Sequence, residues 1–323
     1  MAPTDQVISD SKNRFANDRV IITGGASGIG LAIAMSFASY GALVALVDVN
    51  ETQLDVAVRT IGTGATGYVC DISSWSEQRD LFEKVTATIG PPTIVCLNAG
   101  IDPELAISNP SSSAECKKRL VQYNYLAPEL DESDDDKKSM PTTTTGLKKP
   151  PSNILDVNFY GVLYGIKLAS HYMGENGGRI IVTGSAASYV GFPYQDIYVA
   201  SKHAILGLVR ATAKRPQESS GRHRPVSLSM VAPWLTDTPL TRANSVLGGG
   251  AQALSPTTSS SSDVAQAVLQ LSTMDHTRCH GRCLWVRGST VVEVEESYEA
   301  WLGTLGKSEM EVKQLGVPDL AKL

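Results

Sequence analysis

Short apolar runs alternate with amphipathic stretches along most of this chain. Apolar runs bounded by glycine or polar residues predict buried strands, and apolar residues three or four positions apart predict helices. The seven predicted strands are Arg19–Thr23, Ala42–Val47, Gly67–Cys70, Thr93–Leu97, Arg179–Thr183, Val226–Val231 and Cys283–Arg287. The predicted helices are Leu31–Tyr40, Glu77–Ile89, Asn153–Ser170, Tyr198–Thr212 and Asp263–Leu271. This alternation predicts an α/β fold with a doubly wound parallel sheet of about seven strands.

The alternation stops at 107–152, which holds an acidic run, four consecutive threonines and Lys-Lys-Pro-Pro. Low apolar content and clustered charge predict a solvated insertion, with a helical turn or two around Ala114–Tyr125. A surface loop, a lid over the site and a partner-binding arm are all compatible with it. We therefore predict a single domain over 1–310 that contains this insertion, with a tail at 311–323. The stretch Gly248–Ser262, rich in Ser, Thr and Gly, predicts a flexible loop.

Composition narrows the classes of function. The chain has 323 residues, 42% of them hydrophobic and 19% charged, which is typical of a globular protein. A net charge of −5 without a basic stripe argues against a nucleic-acid partner, and no apolar run is long enough to span a membrane. Five cysteines without framework spacing indicate a reducing compartment. We expect a cytoplasmic protein; the C-terminal Ala321-Lys322-Leu323 is similar to a peroxisomal address and offers an alternative.

A glycine-rich loop joins the first predicted strand to the first predicted helix. Gly24 permits a tight turn, Gly28 lets the backbone approach a pyrophosphate, and Gly30 lets helix and strand pack closely. The amides at the helix start would bind the phosphates of a dinucleotide. The loop residues predicted to contact the cofactor are Gly24, Ser27, Gly28, Ile29 and Gly30.

Asp48 stands at the end of the second predicted strand. A carboxylate there accepts hydrogen bonds from ribose hydroxyls and repels a 2′-phosphate, which favours NAD over NADP. Ser27 agrees with this, because it offers a 2′-phosphate no cation. The alternative is an ordinary aspartate of a turn.

Tyr198 and Lys202 are four residues apart, which places both side chains on one helix face. Tyrosine is a poor base at neutral pH, with a reference pKa of about 10. A nearby ammonium and the positive ring of an oxidised nicotinamide would lower that pKa. Tyr198 could then exchange a proton with a substrate hydroxyl while hydride moves to or from the nicotinamide.

Four sequence motifs follow one another along the chain, and their combination is more specific than any one of them. They are Gly24-Gly25-Ala26-Ser27-Gly28-Ile29-Gly30, Asn98-Ala99-Gly100, a serine thirteen residues before a tyrosine, and Tyr198-Val199-Ala200-Ser201-Lys202. From about Arg19 to about Gly288, the chain resembles the short-chain dehydrogenase/reductase family. The resemblance implies a Rossmann-type sheet, an NAD(P)-dependent oxidoreductase acting on alcohols or ketones, and a homodimer or homotetramer. The insertion and the Pro233-Trp234 pair resemble the hydroxyprostaglandin-dehydrogenase-like branch of fungal natural-product pathways.

The resemblance also implies roles for further residues. Ser185 would orient and stabilise the substrate oxygen, although Ser188 competes for that role. Asn158 would carry a proton relay from Lys202 to solvent. The remaining cofactor contacts would be Asp71 at the adenine, Asn98 beside the cofactor, Lys202 at the nicotinamide ribose, and Thr236 and Thr238 at the carboxamide.

The sequence departs from the family where Trp234 replaces the usual glycine after Pro233. Trp234 is either a wall of the substrate pocket or a packing residue. Aromatic residues between Ser185 and Tyr198 add pocket candidates, namely Tyr189, Phe192 and Tyr194. They favour a bulky, partly apolar substrate. His276, Cys279, His280 and Cys283 lie close in sequence, but we expect no metal site there.

The leading hypothesis is an NAD-dependent dehydrogenase that oxidises a secondary alcohol, or reduces the matching ketone, of a bulky natural product. One alternative is a redox-neutral cyclase or isomerase that keeps the cofactor as a scaffold. Another is an NAD-sensing binding protein without turnover.

Overall fold

The computed structural model describes residues 13–105, 149–215, 225–243 and 257–305. Their strands are β1 Arg19–Thr23, β2 Leu43–Asp48, β3 Ala65–Val69, β4 Ile94–Leu97, β5 Gly178–Thr183, β6 Val226–Pro233, β7 Thr236–Asp237, β8 Ser259–Ser260, β9 Cys283–Arg287 and β10 Thr290–Glu293. Eight of them form one sheet in the order β10-β9-β6-β5-β4-β1-β2-β3, and β7 pairs with β8. All pairs are parallel except the antiparallel pair of β9 and β10.

Helices connect most of these strands. They are α1 Gly28–Ser39, α2 Glu51–Ile61, α3 Trp75–Ile89, α4 Val162–Met173, α5 Asp196–Ala213, α6 Pro239–Ala243, α7 Ser261–Thr273, α8 His276–Cys279 and α9 Glu295–Leu302. The helical residues Asn153–Leu155 and a π-helical turn, Asp156–Gly161, lead directly into α4. The sheet order reverses between β4 and β1, which creates a crevice at the carboxyl ends of the strands.

Two apolar cores lie on opposite faces of the sheet. One contains buried side chains of α1, α2 and α7, with Phe37, Leu54 and Val268 as examples. The other contains buried side chains of α3, α4 and α5, including Phe82 and Ile205. Helices on both faces of a mainly parallel sheet confirm the predicted doubly wound α/β fold.

All seven predicted strands are present, but the sheet has one strand more. The additional strand, β10, was not predicted and forms a hairpin with β9. Gly288 permits the turn because its φ is +57°, in the left-handed region that glycine adopts at little cost. The strand has only four residues, so its apolar alternation is too short to distinguish it from a loop.

The prediction of a flexible loop over Gly248–Ser262 is wrong at its end. Residues Ser259–Ser260 form β8, and α7 begins at Ser261. The Ser260 hydroxyl accepts a hydrogen bond from the Asp263 amide, and the Asp263 carboxylate accepts one from the Ser260 amide. This reciprocal cap starts the helix two residues before the predicted position. Residues 248–256 and nearly all of the predicted insertion lie outside the described residues.

Candidate active site

The carboxyl ends of β1, β2, β4, β5 and β6 surround a cavity of about 680 Å³. This volume is within the range of small-molecule sites. Its walls include the glycine loop before α1, the Asn98-Ala99-Gly100 turn after β4, the start of α5 and the segment after β6. The topology therefore brings the separate sequence motifs to one place.

Two glycines of the loop are required by close backbone contacts. A Cβ on Gly30 would lie 2.0 Å from the carbonyl oxygen of Gly24, so no side chain fits there. Gly24 has a φ of +65°, and a Cβ on it would lie 2.9 Å from the Cα of Ala99. At the helix start, Ser27 makes no side-chain capping bond, and the first turn of α1 has no acidic residue. The loop leaves the positive end of the helix facing the cavity, as an anion site requires.

Asp48 at the end of β2 and Asp71 just after β3 line the cavity. Asp48 accepts hydrogen bonds from the amide of Ala26 at 3.2 Å and from the amide of Asn50 at 3.1 Å. Asp71 accepts two from Ser73, from its amide at 2.9 Å and from its hydroxyl at 2.7 Å. These bonds fix the carboxylates at the wall where the sequence predicts the adenosine.

Asn98 connects three strands at the centre of the crevice. Its amide nitrogen donates to the carbonyl of Thr23 at 3.1 Å, and its amide oxygen accepts from the hydroxyl of Thr183 at 3.1 Å. The side chain thereby ties the ends of β1 and β5 to the end of β4. Thr236 and Thr238 line the same cavity, and a Cβ on Gly28 would lie 3.5 Å from the Cβ of Thr238. These contacts and the cradle left by the glycines fit a bound dinucleotide.

Ser185, Tyr198 and Lys202 all line the cavity. The Ser185 hydroxyl is close enough to the Tyr198 phenol to lower its pKa. The Nζ of Lys202 lies 5.6 Å from the centroid of the Tyr198 ring and donates to the carbonyl of Thr183 at 3.1 Å. The predicted triad is thus brought together from the end of β5 and the first turns of α5.

The electrostatics of the triad differ from the expectation. Burial raises the pKa of Tyr198, and the nearby Asp102 carboxyl raises it further. Burial also lowers the pKa of Lys202 to about 8, so this ammonium is only partly charged in mildly alkaline solution. The prediction that Lys202 would lower the tyrosine pKa omitted the desolvation of both groups. Among the described residues, the group that lowers the pKa of Tyr198 is Ser185.

The two candidate serines are distinguished by position. Ser188 is fully buried and does not line the cavity, and its hydroxyl accepts from the amide of Ser185 at 3.3 Å. The Ser185 hydroxyl accepts from the amide of Ala187 at 3.1 Å. Ser188 therefore braces the turn that presents Ser185 to the cavity.

Asn158 lies in the π-helical turn before α4 and is fully buried. Its amide oxygen accepts from the amide of Ile101 at 2.8 Å, and its amide nitrogen donates to the carbonyl of Ile101 at 2.9 Å. A Cβ on Gly100 would lie 3.2 Å from this amide oxygen and 3.5 Å from the Nζ of Lys202. Asn158 and Lys202 thus both border Gly100. A π-helical turn such as the one that carries Asn158 is common at functional sites.

The predicted aromatic pocket is only half present. Phe192 and Trp234 line the cavity, with their ring centroids 5.9 Å apart. In the described part of the chain, Tyr189 and Tyr194 are not among the lining residues. The Tyr189 hydroxyl instead donates to the buried Glu295 carboxylate at 2.6 Å, and the Tyr194 side chain is exposed. Tyr189 and Tyr194 lie in the segment between Ser185 and Tyr198, which does border the cavity, but their side chains point away from it.

An acidic pair that was not predicted, Asp102 and Glu104, lies just after the Asn98-Ala99-Gly100 turn. Both are buried. The Glu104 carboxylate accepts from the amides of Ile197 at 3.2 Å and Tyr198 at 2.7 Å. Asp102 lines the cavity and accepts a hydrogen bond from Gln195. The position of two carboxylates beside the Asn98-Ala99-Gly100 motif could have indicated that they belong to the site. Their hydrogen-bond partners could not be predicted, because these lie more than 90 residues away in sequence.

The His and Cys residues between 276 and 283 lie in α8, directly after it and in β9. The Nδ1 of His280 accepts from the amide of Leu228 at 3.1 Å, and Cys283 is buried in β9. The described residues contain no group of three or more His, Cys, Asp or Glu side chains that could hold a metal ion. Within the same ranges, no helix combines the length and apolar character that crossing a membrane requires.

Comparison with known proteins identifies the family. The family model for short chain dehydrogenase matches residues 18–128 and 139–246. The chain therefore belongs to the short-chain dehydrogenase family, as the motifs predicted. The match omits residues 129–138, which hold the acidic run of the predicted insertion.

Three relatives illustrate the range of named activities. The chain is 31% identical to "Secoisolariciresinol dehydrogenase" of Forsythia intermedia, over 66% of this chain and 65% of that protein. It is 28% identical to "5'-hydroxyaverantin dehydrogenase" of the fungus Dothistroma septosporum, over 68% of each chain. It is 31% identical to "(+)-cis,trans-nepetalactol synthase NEPS2" of Nepeta racemosa, over 72% of this chain and 75% of that protein. The first match thus leaves about a third of the relative's length uncovered.

Proposed function

We propose that this protein is an NAD-dependent dehydrogenase that interconverts a secondary alcohol and the matching ketone. The observation that carries the proposal is the convergence of Ser185, Tyr198 and Lys202 on a cavity that also reaches the glycine loop. Relatives named as dehydrogenases support the same reaction class. The nicotinamide, when bound, accepts or donates the hydride.

The residues of this chain transfer the proton and stabilise the charges that form when it moves. Tyr198 takes the proton of the substrate hydroxyl during oxidation and returns it during reduction. Ser185 holds the substrate oxygen and, being close to the phenol, stabilises its ionised form. Lys202 binds the nicotinamide ribose, and Asn158 beside it passes the proton towards solvent. Because burial raises the pKa of Tyr198, oxidation should accelerate as the pH rises.

The preference for NAD rests on Asp48, which lines the cavity and is fixed by two backbone amides. A carboxylate in this place favours ribose hydroxyls and repels a 2′-phosphate. The cofactor would bind along Gly24, Ser27, Gly28, Ile29 and Gly30, with Asp71, Asn98, Thr236 and Thr238 completing the site.

The substrate would be a bulky, partly apolar small molecule. Phe192 and Trp234 supply aromatic surface beside the catalytic residues. We also propose a homodimer or homotetramer, supported by the exposed rings of Trp75 and Tyr160, both of which pack on Tyr164. A cytoplasmic location, or a peroxisomal one through Ala321-Lys322-Leu323, remains a prediction, because that tripeptide lies outside the described residues.

The test is turnover of secondary alcohols and ketones, followed at the NADH absorbance band with NAD and NADP in parallel. Tyr198→Phe should lower turnover about 10²–10⁴-fold, as loss of a positioned acid–base group does, and should retain NADH binding. Tyr40→Phe is the matched control, because Tyr40 packs on Phe15 and does not line the cavity. Equal turnover of Tyr198→Phe and the parent protein would overturn the proposal.

A second candidate function is a redox-neutral cyclisation or isomerisation on the same site. The relative named as a nepetalactol synthase favours it. In that case the cofactor would remain bound without net turnover. The two functions differ in whether hydride leaves the cofactor.

A further inference from the structure

A buried carboxyl group stands at the substrate end of the cavity without a role in the proposed reaction. Asp102 is 4% exposed and lines the same cavity as Tyr198 and Lys202. It is close enough to both for its charge to raise their pKa values. Asp102 therefore lies beside the reacting position, although it is not one of the groups that move the proton.

The hydrogen bonds of Asp102 hold the carboxyl in one orientation. Its Oδ1 accepts from the amide of Leu105 at 3.0 Å, and its Oδ2 accepts from the Nε2 of the buried Gln195. An ionised carboxylate offers about four acceptor positions, so these two bonds leave acceptor capacity. A preorganised acceptor of this kind is suited to a ligand that donates a hydrogen bond.

The surroundings of Asp102 are mainly apolar. Side chains that line the cavity with it include Leu105, Val157, Phe192 and Trp234. The charged groups that act on it are Glu104, which raises its pKa, and Lys202, which lowers it. Burial has the largest effect and raises its pKa to about 7. Such burial is costly unless hydrogen bonds compensate it, and a ligand donor would add one.

We propose that Asp102 accepts a hydrogen bond from a second hydroxyl group of the substrate, so that the pocket selects diols over the corresponding mono-alcohols. This inference rests on the proposed dehydrogenase function and narrows its substrate class. A neutral hydroxyl fits better than an ammonium, because Lys202 already places a cation beside the same carboxyl. The apolar lining then accommodates the carbon skeleton that carries both hydroxyls.

The experiment compares 1-tetralol with the cis and trans isomers of tetralin-1,2-diol, using the full-length protein and NAD at about pH 8, where most of the Asp102 carboxyl is ionised because its pKa is about 7. The parent protein should favour one diol over 1-tetralol by about 10-fold or more in kcat/KM, the effect of one hydrogen bond to a charged group. Asp102→Leu should bring this ratio to about one, whatever the change in absolute rate. Asp102→Asn keeps a carbonyl acceptor and should give an intermediate ratio.

Asp196→Asn is the matched control, because Asp196 is an exposed carboxylate in the first turn of α5 and does not line the cavity. It should leave the diol ratio of the parent protein unchanged. A ratio near one in the parent protein would overturn the inference. So would a ratio that Asp102→Leu leaves unaltered, or a stronger preference for 2-amino-1-tetralol than for the diols.

The outcome is separable from that of the proposed function. If the parent protein oxidises none of these alcohols, the dissociation constants of 1-tetralol and the diols are measured by calorimetry in the presence of NADH. Tighter binding of a diol that Asp102→Leu abolishes would support the inference without turnover. Equal binding of all three would contradict it. Thermal melting of each variant confirms that the protein compared is folded.

Discussion

Helices α1 and α5 both begin at the cavity, and different groups face the backbone amides of their first turns. At α1, the N-cap Ser27 makes no side-chain capping bond, and no acidic residue lies in the first turn. At α5, the N-cap Gln195 also makes no capping bond, but Glu104 accepts hydrogen bonds from the amides of Ile197 and Tyr198. The amides at the start of α1 have no side-chain cap and can bind a ligand. Those at the start of α5 are capped by the carboxylate of Glu104, which is distant in sequence.

The difference follows from what each helix must hold. The amides at a helix start carry partial positive charge and are stabilised by an anion. At α1 that anion would be the pyrophosphate of the cofactor, so the protein keeps the position open with glycines. At α5 the first turn carries Tyr198, and Glu104 fixes the backbone of that residue. Both helix starts thus use the partial positive charge of their backbone amides. At α1 this charge would bind the cofactor, and at α5 it binds a carboxylate of the protein that positions Tyr198.

The largest expected effect comes from closing the loop before α1. Gly30→Ala would place a methyl group 2.0 Å from the carbonyl oxygen of Gly24, so the loop must move. We expect NADH affinity, measured by fluorescence titration, to fall by about 100-fold or more, since cofactor contacts depend on this loop. Gly207→Ala in α5 is the control, because its Cβ would meet nothing within 4 Å. Parent-like NADH affinity in Gly30→Ala would contradict the assignment.

The next effect comes from opening the start of α5. Glu104→Ala removes the acceptor of the Tyr198 amide, and we expect kcat to fall by about 10–100-fold through misplacement of the phenol. NADH affinity should change less than threefold, and Glu104→Gln, which keeps an acceptor oxygen, should recover part of the rate. Ser74→Ala removes the cap of α3, which accepts from the Glu77 amide, and should lower stability without this loss of kcat. Equal kcat losses in the two alanine variants would show that the role of Glu104 is only structural.

A smaller effect is expected at Asp48, on the α1 side. Asp48→Asn retains an oxygen that can accept from the amide of Ala26, but it loses the negative charge. We expect the KM for NAD to rise about 10-fold, the value of one good hydrogen bond, and the discrimination against NADP to weaken. Steady-state kinetics with both cofactors measure the ratio. An unchanged ratio of NAD to NADP efficiency would remove Asp48 from the selection of cofactor.

The smallest expected effect is a change in melting temperature with pH, caused by the carboxyl of Asp102 beside α5. The pKa of Asp102 is about 7 in the folded protein, against an ordinary value of about 4 in an unfolded chain. Between these pH values the folded state binds the proton and the unfolded state does not, so stability falls as the pH rises. Asp102→Asn cannot titrate, and its Tm relative to the parent should be a few degrees higher at pH 8 than at pH 4. A Tm difference that does not vary with pH would show that Asp102 is not buried in this way.

The two helix starts also show what the sequence can predict. The glycine loop and the Tyr198–Lys202 pair were readable because their function depends on spacing within one element. The cap by Glu104 and the bond from Gln195 to Asp102 were not, since each joins residues more than 90 positions apart. Tyr189 shows the same limit, because a contact with Glu295 decides where its side chain points. The lowered pKa of Lys202 likewise depends on burial, which spacing does not report.

The most direct test of the central claim is the fate of the hydride. The protein is incubated with a panel of bulky ketones and NADH that carries two deuterium atoms at C4, and the products are analysed by mass spectrometry. We expect an alcohol with one deuterium at the carbinol carbon, from one face of the cofactor, at a rate that Tyr198→Phe lowers sharply. A product formed without deuterium, or bound NADH that reduces no ketone, would contradict it.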